Sequence, residues 1–152
     1  MKTLELKIPP PIVLFVCLVL AYGLSLCLPL LAIPPILSGL FGYLIVIGVL
    51  LSLAGIWEFR KAKTTIDPTR PEKASHLVSG GIYRLTRNPM YLGMVLIIIA
   101  AVLKFGNVYG FIALPCFILY ISIYQIKPEE RMIENLFGQQ YVQYKKKVRR
   151  RL

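Results

Sequence analysis

Charged and potentially reactive side chains are concentrated in residues 76–91, a short polar stretch between long apolar segments. It contains the only histidine of the chain, His76, together with two arginines, two tyrosines and a Gly-Gly turn. An acidic pair, Glu129 and Glu130, follows after two further apolar segments. Guanidinium groups bind anions, whereas carboxylates bind cations or hydroxyl groups. The pattern predicts a binding site for a small charged group beside the apolar segments.

The start of the third apolar segment is the predicted anion-binding side of this site. Asn88 is a favourable N-cap and Pro89 a favourable first residue, so a helix is predicted to begin at Pro89. The free N–H groups of a helix start, with Arg84 and Arg87 ahead of it and Tyr91 in its first turn, can hold a carboxylate or phosphate. The alternative is that both arginines only reach lipid headgroups and that Asn88 only caps the helix.

Glu129 and Glu130 lie just beyond the last apolar segment, where an unpaired carboxylate is costly if it is buried. The partner within the chain is Arg131, Arg84 or a helix dipole. The alternative is a cationic ligand such as a sulfonium or an ammonium, or a pair of ribose hydroxyls. The two interpretations remain open at this point.

Groups for covalent or metal chemistry are sparse. His76 is a lone loop histidine, which is commonly a surface residue, and with Glu130 it is a candidate base. The sequence has no Ser/His/Asp or Cys/His arrangement, no P-loop and no Gly-x-Gly-x-x-Gly motif. Cys17, Cys27 and Cys116 fall within apolar segments without metal-ligand spacing and are predicted to be inert packing thiols, so no metal site is expected.

The elements that position these residues are predicted to be membrane helices. The chain has 152 residues, is 57% hydrophobic and contains apolar runs near the roughly 20 residues that cross a bilayer as a helix. A cleavable signal peptide is the alternative for the first run, but that run is longer than a signal core. We predict one all-α domain, an integral membrane helical bundle over residues 1–152, with spans at about 11–33, 36–57, 89–103 and 108–126, a cytosolic loop at 58–88 and a cytosolic helical tail at 127–152.

The basic residues predict the orientation of this bundle. Of the 18 lysines and arginines only Lys104 lies between the third and fourth spans, and the others precede the first span or occupy the loop and the tail. Positive charge is enriched on the cytoplasmic side, so both termini are predicted to be cytoplasmic, at the plasma membrane in a prokaryote. We interpret the net charge of +11 and the basic tail as contact with anionic lipids rather than nucleic acid. The oligomeric state is left open.

Several local signals predict packing and helix ends. Gly39, Gly42, Gly48 and Gly55 recur along the second span and indicate a close-packing face, with a ligand groove as the alternative. Pro128 predicts the start of a new helix with both acids in its first turn, and Gly138 predicts its end. An amphipathic segment at 139–148 is predicted to place its tyrosines at the membrane interface, and residues 76–78 are predicted to form a short extended piece before a turn at 79–81.

The chain resembles the isoprenylcysteine carboxyl methyltransferase family and its phospholipid methyltransferase relatives. The resemblance rests on two groups of residues in the expected order, separated by a helical hairpin, and covers residues 76–150. The first group is His76, Val78, Gly81, Tyr83, Arg87, Pro89, Tyr91 and Gly93, and the second is Glu129, Glu130, Phe137, Gly138, Tyr141, Tyr144, Val148 and Arg150.

This resemblance implies a methyltransferase that holds S-adenosyl-L-methionine at the cytosolic face and acts on a lipophilic acceptor with a carboxylate, thiol or amine headgroup. The implied cofactor-binding residues are His76, Leu77, Val78, Gly81, Tyr83, Arg87, Asn88, Pro89, Tyr91, Glu129 and Glu130.

Two positions depart from the family pattern. Family members often carry histidine where this chain has Asn88, and the prenylcysteine enzymes carry an arginine near Gln125 that handles the substrate carboxylate. Gln125 is the nearest substrate-binding equivalent here, which puts a prenylcysteine acceptor in doubt. Two other functions are alternatives: an NADPH-dependent reductase of the membrane sterol type, and a non-enzymatic scaffold with a lipid-binding basic tail.

Overall fold

The computed structural model describes residues 5–65 and 74–152, and the regular elements within these ranges are helices. The predicted all-α membrane bundle is therefore confirmed for the described residues. The predicted turns at Asp67-Pro68 and Arg70-Pro71 lie outside them. The α-helices are α1 (Pro10–Cys27), α2 (Pro35–Ser38), α3 (Phe41–Lys61), α4 (Pro89–Phe105), α5 (Ala113–Ile121), α6 (Lys127–Phe137) and α7 (Gln139–Lys147).

Among the described residues, three helical stretches are long and apolar enough to cross a membrane, namely Pro10–Cys27, Pro35–Lys61 and Val108–Phe137. The remaining apolar helix, Pro89–Phe105, is shorter, as the spacing predicts. Large apolar side chains on α1 and α3 point outward: Phe15 is 66% exposed and Tyr43 is 72% exposed. Such a surface is costly in water and favourable against lipid tails, so these faces form the lipid-facing side of the bundle.

The first span ends earlier than predicted, at Cys27 rather than at residue 33. Pro29 cannot donate a backbone hydrogen bond, and residues 28–33 instead cross to the connection after α4. There Asn107, 1% exposed, donates from Nδ2 to the Ser25 carbonyl at 3.2 Å, and its backbone forms an isolated bridge with Ala32. Asn107 thereby joins the ends of α1 and α4 at the far end of the bundle from residues 76–91.

Helices α3 and α4 pack most closely, and only part of the glycine face takes part. A Cβ placed on Gly48 would lie 2.7 Å from the Gly93 carbonyl oxygen, and one on Gly55 would lie 2.7 Å from Met90 Cγ. Ser52 donates to the Gly48 carbonyl at 2.9 Å within the same contact. A Cβ on Gly42 would meet no atom within 4 Å, and one on Gly39 would meet only the Ile36 carbonyl oxygen, at 3.5 Å. The predicted packing face is therefore restricted to Gly48 and Gly55.

Helix α6 begins at Lys127 with Pro128 and both acids in its first turn, as predicted, but no break separates it from the preceding helix. A single helical stretch runs from Val108 to Phe137 and contains a π-helical turn, Ser122–Ile126, just ahead of Pro128. A proline lacks the N–H that the preceding helical turn would use, and a wider turn accommodates that loss. The Tyr124 carbonyl, within the π turn, accepts a hydrogen bond at 3.0 Å from the backbone N–H of Leu6.

The end of the chain folds back on the bundle. Gly138 ends α6 with a φ of 49°, as predicted, and α7 follows directly. Tyr141 and Tyr144 are 3% and 9% exposed, so the prediction that they lie at the membrane interface is wrong. They pack in a second hydrophobic cluster with Val78 and Tyr83, because α7 turns its aromatic face toward the connection before α4.

The thiols and the first helix show how the core is built. Val13, Cys17 and Ala21 of α1 belong to the main core cluster, so this helix is an integral part of the fold. Cys17 is a packing thiol, as predicted, whereas Cys27 and Cys116 are exposed on the outer surface. Residues 76–78, predicted to be extended, form no strand with any described residue.

We expect Gly93→Ala to destabilise the protein by about 1–3 kcal/mol, because the added methyl group would meet Ser52 Oγ and the Gly48 carbonyl oxygen. Gly42→Ala, on α3 and facing open space, is the matched control and should leave stability unchanged or slightly raised. Thermal unfolding of both variants in the same detergent measures the difference. Equal unfolding midpoints for the two variants would contradict the close α3–α4 contact.

Candidate active site

A cavity of about 110 Å³ opens where α3 ends and α4 begins. The connection before α4, α6 and α7 form its other walls. Its lining combines aromatic and aliphatic side chains with four charged or amide groups. The lining residues are Phe59, Thr65, Ala74, His76, Leu77, Val78, Tyr83, Arg87, Asn88, Met90, Tyr91, Glu129, Glu130, Ile133, Phe137, Tyr141 and Tyr144.

Arg87 and Asn88 place hydrogen-bond donors at the start of α4. Helix α4 begins at Pro89, as predicted, but the side chain of Asn88 does not cap it. Arg87 Nε, Arg87 Nη1 and Asn88 Nδ2 are buried and have no hydrogen-bond partner among the described residues. Leaving a buried donor unpaired costs about 1–3 kcal/mol, so several such donors in one cavity wall indicate a ligand-binding surface.

Glu130 carries the negative charge opposite these donors. Its Oε1 lies 3.1 Å from Arg87 Nη1, although the two groups are not aligned as a hydrogen bond. Its Oε2 lies 3.8 Å from Arg150 Nη1, near the end of the chain. Glu130 Oε1 is itself a buried acceptor without a hydrogen-bond partner in the described part of the chain. The acid therefore has cationic neighbours from α4 and from the tail, and one oxygen that a ligand can use.

Glu129 has a different environment. Its Oε1 accepts a hydrogen bond from Tyr91 Oη at 2.6 Å and another from Gln125 Nε2 at 2.8 Å. Gln125 is 1% exposed and lies in the π turn, one helical turn toward the apolar part of the helix. Within residues 5–65 and 74–152 no lysine or arginine forms an ion pair with Glu129. Glu129 is thus held by neutral donors, whereas Glu130 is held by cations.

The Gly-Gly turn positions Tyr83 rather than lining the cavity. Gly81 has a φ of +50°, and a Cβ there would overlap the carboxylate of Glu58 at the end of α3. The close approach seats the 3-10 helix Gly81–Arg84 on α3, where the Tyr83 ring meets Phe59 edge to face at 5.6 Å. Tyr144 Oη then donates to the Tyr83 carbonyl at 2.7 Å and ties α7 to the same turn.

Burial and neighbouring charges keep the tyrosines of this wall neutral. Burial raises the pKa of Tyr144 to about 12, and the Arg87 guanidinium lowers it in part. Burial, followed by the charge of Glu130, raises the pKa of Tyr141, and Arg87 again opposes the shift. Burial also raises the pKa of Tyr83 above its ordinary value, with Tyr144 and Glu129 adding to the effect. Their hydroxyls therefore act as neutral hydrogen-bonding groups.

Most of the residues proposed from sequence lie together in this cavity. His76 is at the exposed rim, with Nδ1 3.1 Å from Ser75 Oγ. Gly81 and Pro89 support the walls from behind and are not in the lining, and Gln125, which is also outside the lining, bonds to Glu129. Arg84 is exposed and also outside the lining.

Several aromatic and aliphatic residues of the cavity lining were not predicted from the sequence. Phe137, Tyr141 and Tyr144 belong to the family pattern, but no role was assigned to them from the sequence. Ile133 follows the acids by one helical turn and could have been predicted to share their face of the helix. Phe59 had no signal of its own, because its place depends on how α3 packs against the 3-10 helix.

We expect stability to fall as the pH rises from about 10 toward 12, because the pKa of Tyr144 is near 12 in the folded protein and near 10 in an unfolded chain. A phenol with a raised folded pKa stabilises the fold fully below pH 10 and loses that contribution as it ionises. Tyr144→Phe should lower stability by about 1 kcal/mol at pH 8 and reduce the decline above pH 10. Unfolding midpoints from pH 8 to 11.5 measure both effects. Tyr43→Phe, at an exposed site, is the control at pH 8. If the unfolding midpoints of wild type and Tyr144→Phe fell equally above pH 10, the raised pKa of Tyr144 would be contradicted.

Comparison with known proteins gives the family of the chain. The model of the phospholipid methyltransferase family matches residues 37–140. An uncharacterised Haemophilus influenzae protein is 44% identical over 61 residues, covering 40% of this chain and 97% of that protein. Protein-S-isoprenylcysteine O-methyltransferase B of Arabidopsis thaliana is 27% identical over 105 residues, covering 69% of this chain and 53% of that protein, so the chain spans about half of its length. No solved structure matches the chain. The family model covers more than half of the chain, which therefore belongs to the phospholipid methyltransferase family, as the sequence resemblance indicated.

Proposed function

We propose that the chain binds S-adenosyl-L-methionine in the cavity at the start of α4 and transfers a methyl group to a lipophilic acceptor in the membrane. The observation that carries this proposal is the set of buried polar atoms of Arg87, Asn88 and Glu130 that form no hydrogen bond with the described residues and converge on one cavity. Membership of a methyltransferase family supports the reaction class.

The donor set fits the amino-acid end of this cofactor. Arg87 and Asn88 offer buried N–H donors at a helix start, which suits a carboxylate. Glu130 Oε1 forms no hydrogen bond with the described residues, although it lies 3.1 Å from Arg87 Nη1, so it can accept one from the ammonium group. Tyr83, Tyr141 and the other aromatic lining residues offer flat apolar surfaces that suit a purine ring.

When bound, S-adenosyl-L-methionine would supply an electrophilic methyl group, and its sulfur would leave as a neutral thioether when the acceptor bonds to the methyl carbon in a single step. The chain needs no covalent nucleophile for this reaction, and the described lining residues include no cysteine or serine. The contribution of the protein is to hold the reactants in line and to exclude water. The buried aromatic wall of α7 and the 3-10 helix serves the second purpose.

The candidate bases differ in their surroundings. Glu130 lies beside two guanidinium groups, so we assign it to binding rather than to proton transfer. His76 is exposed at the rim and accessible to water, where it can receive a proton from an amine acceptor. A carboxylate or thiolate acceptor needs no base.

Glu129 and Gln125 support an acceptor that is not anionic. Glu129 is held by neutral donors and forms no ion pair with a described lysine or arginine, so it offers an acceptor to a cationic headgroup and no counter-charge to an anionic one. The position where the prenylcysteine enzymes carry arginine is occupied by Gln125, whose amide is already bonded to Glu129. We therefore favour an amine-bearing lipid as the acceptor, entering from the bilayer while the cofactor enters from the cytoplasm.

Purified protein in detergent should bind S-adenosyl-L-methionine, and Arg87→Gln should weaken that binding by about tenfold, because it removes a charge-assisted hydrogen bond. Arg84→Gln makes the same chemical change three residues away, at an exposed arginine outside the cavity, and should leave the affinity unchanged. Isothermal titration measures both variants.

Titration with NADPH is the control for the reductase alternative. Binding of NADPH without binding of S-adenosyl-L-methionine would overturn the proposal. Equal affinities in the two arginine variants would remove Arg87 from the binding site.

A labelled methyl group should pass from S-adenosyl-L-methionine to an aminophospholipid in preference to a prenylcysteine, because Glu129 disfavours an anionic acceptor. The assay compares the two acceptors in membranes that contain the protein. Glu129→Gln removes the carboxyl group and should reduce the preference for the aminophospholipid over the prenylcysteine. Transfer to the prenylcysteine alone would contradict the assigned role of Glu129.

A further inference from the structure

Residues 148–152, which we call the C-terminal strap, follow α7 and begin with extended backbone at Val148, which has a φ of −119° and a ψ of 124°. Burial alternates along the strap: Val148 is buried, Arg150 and Leu152 are partly buried, and Arg149 and Arg151 are exposed. Extended backbone points successive side chains in opposite directions. The strap therefore has an inner row of three residues and an outer row of two arginines.

Each inner residue has a distinct contact. Val148 packs in the cluster that contains Tyr83 and Tyr144. Arg150 reaches Glu130 of the cavity at 3.8 Å, and Leu152 packs against the main core cluster formed by the membrane helices. The strap thus runs from the aromatic wall of the site, past its acid, to the edge of the membrane-spanning core.

The outer row has no such partner. Among the described residues, Arg149 and Arg151, with Lys146 and Lys147 just before them, are exposed and form no ion pair with an acid. Lys145 differs, since it bonds to Glu134 at 2.7 Å. Leu152 packs against the core of the membrane helices, so the neighbouring outer row lies near the level of the lipid headgroups. Anionic headgroups attract lysine and arginine.

We propose that the outer row, Arg149 and Arg151, together with Lys146 and Lys147 at the end of α7, docks on anionic lipid headgroups and that this docking holds Arg150 against Glu130. The inference rests in part on the proposed function, because Glu130 is assigned there to the cofactor. Arg149 and Arg151 flank Arg150 in the strap and point in the opposite direction. When lipid headgroups hold these two side chains, the backbone between them is held too, and Arg150 stays directed toward Glu130. Arg150 is a positioning residue, and the anionic membrane surface is the partner.

The first experiment tests docking without the cofactor. A fluorophore is attached at Gln143→Cys, on the exposed side of α7, in a chain whose three native cysteines are replaced by alanine. Nanodiscs contain a headgroup-linked quencher in phosphatidylcholine alone or with about 30% phosphatidylglycerol. We expect about twofold stronger quenching in the anionic discs than in phosphatidylcholine alone. The double variant Arg149→Gln/Arg151→Gln should lose this difference, and added salt should reduce it. Equal quenching of the unmutated strap in both discs would overturn the proposal.

The second experiment tests the link to the site. The unmutated protein should bind S-adenosyl-L-methionine about fivefold more tightly in anionic than in zwitterionic discs, and the double variant should lose this difference. Arg150→Gln should bind weakly in both discs, and Arg150→Lys should restore most of the affinity. If quenching differed between the two kinds of disc but the affinity for S-adenosyl-L-methionine did not, the coupling of docking to Glu130 would be overturned. Failure of the protein to bind the cofactor at all would instead refute the proposed function and leave the docking result standing.

Discussion

The contact between α3 and α4 determines where every wall of the site lies. In a bilayer, lipid tails are as apolar as leucine, so helices associate through close packing rather than through removal of water. Gly48 and Gly93 provide that packing, because each backbone occupies the space where the other would carry a Cβ. At one end of this contact, Gly55 admits Met90 and the neighbouring start of α4. The end of α3 and the residues before α4 are thereby brought together, and the cavity forms between them.

The charges of the site are arranged to limit the cost of burying them. Glu130 lies between Arg87 and Arg150, which come from distant parts of the chain, and Glu129 is held by two neutral donors. Burial of an acid beside a membrane span is tolerated only when such groups satisfy it. The buried polar atoms of Arg87, Asn88 and Glu130 that form no hydrogen bond line the cavity, so they belong to the binding surface, whereas the bonded oxygen of Glu129 belongs to its support.

The sequence predicted the parts that depend on local chemistry. Proline and glycine signals located the start of α4 at Pro89 and the end of α6 at Gly138, and charge-free runs located the membrane helices. The residue types of the site were also recognisable, because Arg87, Glu129 and Glu130 are rare beside apolar spans. Two features depended on tertiary contacts and were missed. Tyr141 and Tyr144 have the spacing of interfacial residues, and only the fold-back of α7 buries them. Pro128 correctly signals the start of α6, but the π turn that joins α6 to the preceding helix without a break has no local signal.

The π turn at Ser122–Ile126 changes the rotational phase of the last long helix. An α-helix advances each residue by about 100°, so one extra residue in a turn rotates everything after it by that angle relative to everything before it. The first half can therefore keep Phe117 and Ile121 in the core, while the second half presents two consecutive acids to the cavity. A single-residue deletion within the turn would leave composition and hydropathy almost unchanged and yet point Glu129 and Glu130 elsewhere. Among relatives, the length of this helix should thus be more informative about a working site than the presence of the acidic pair alone.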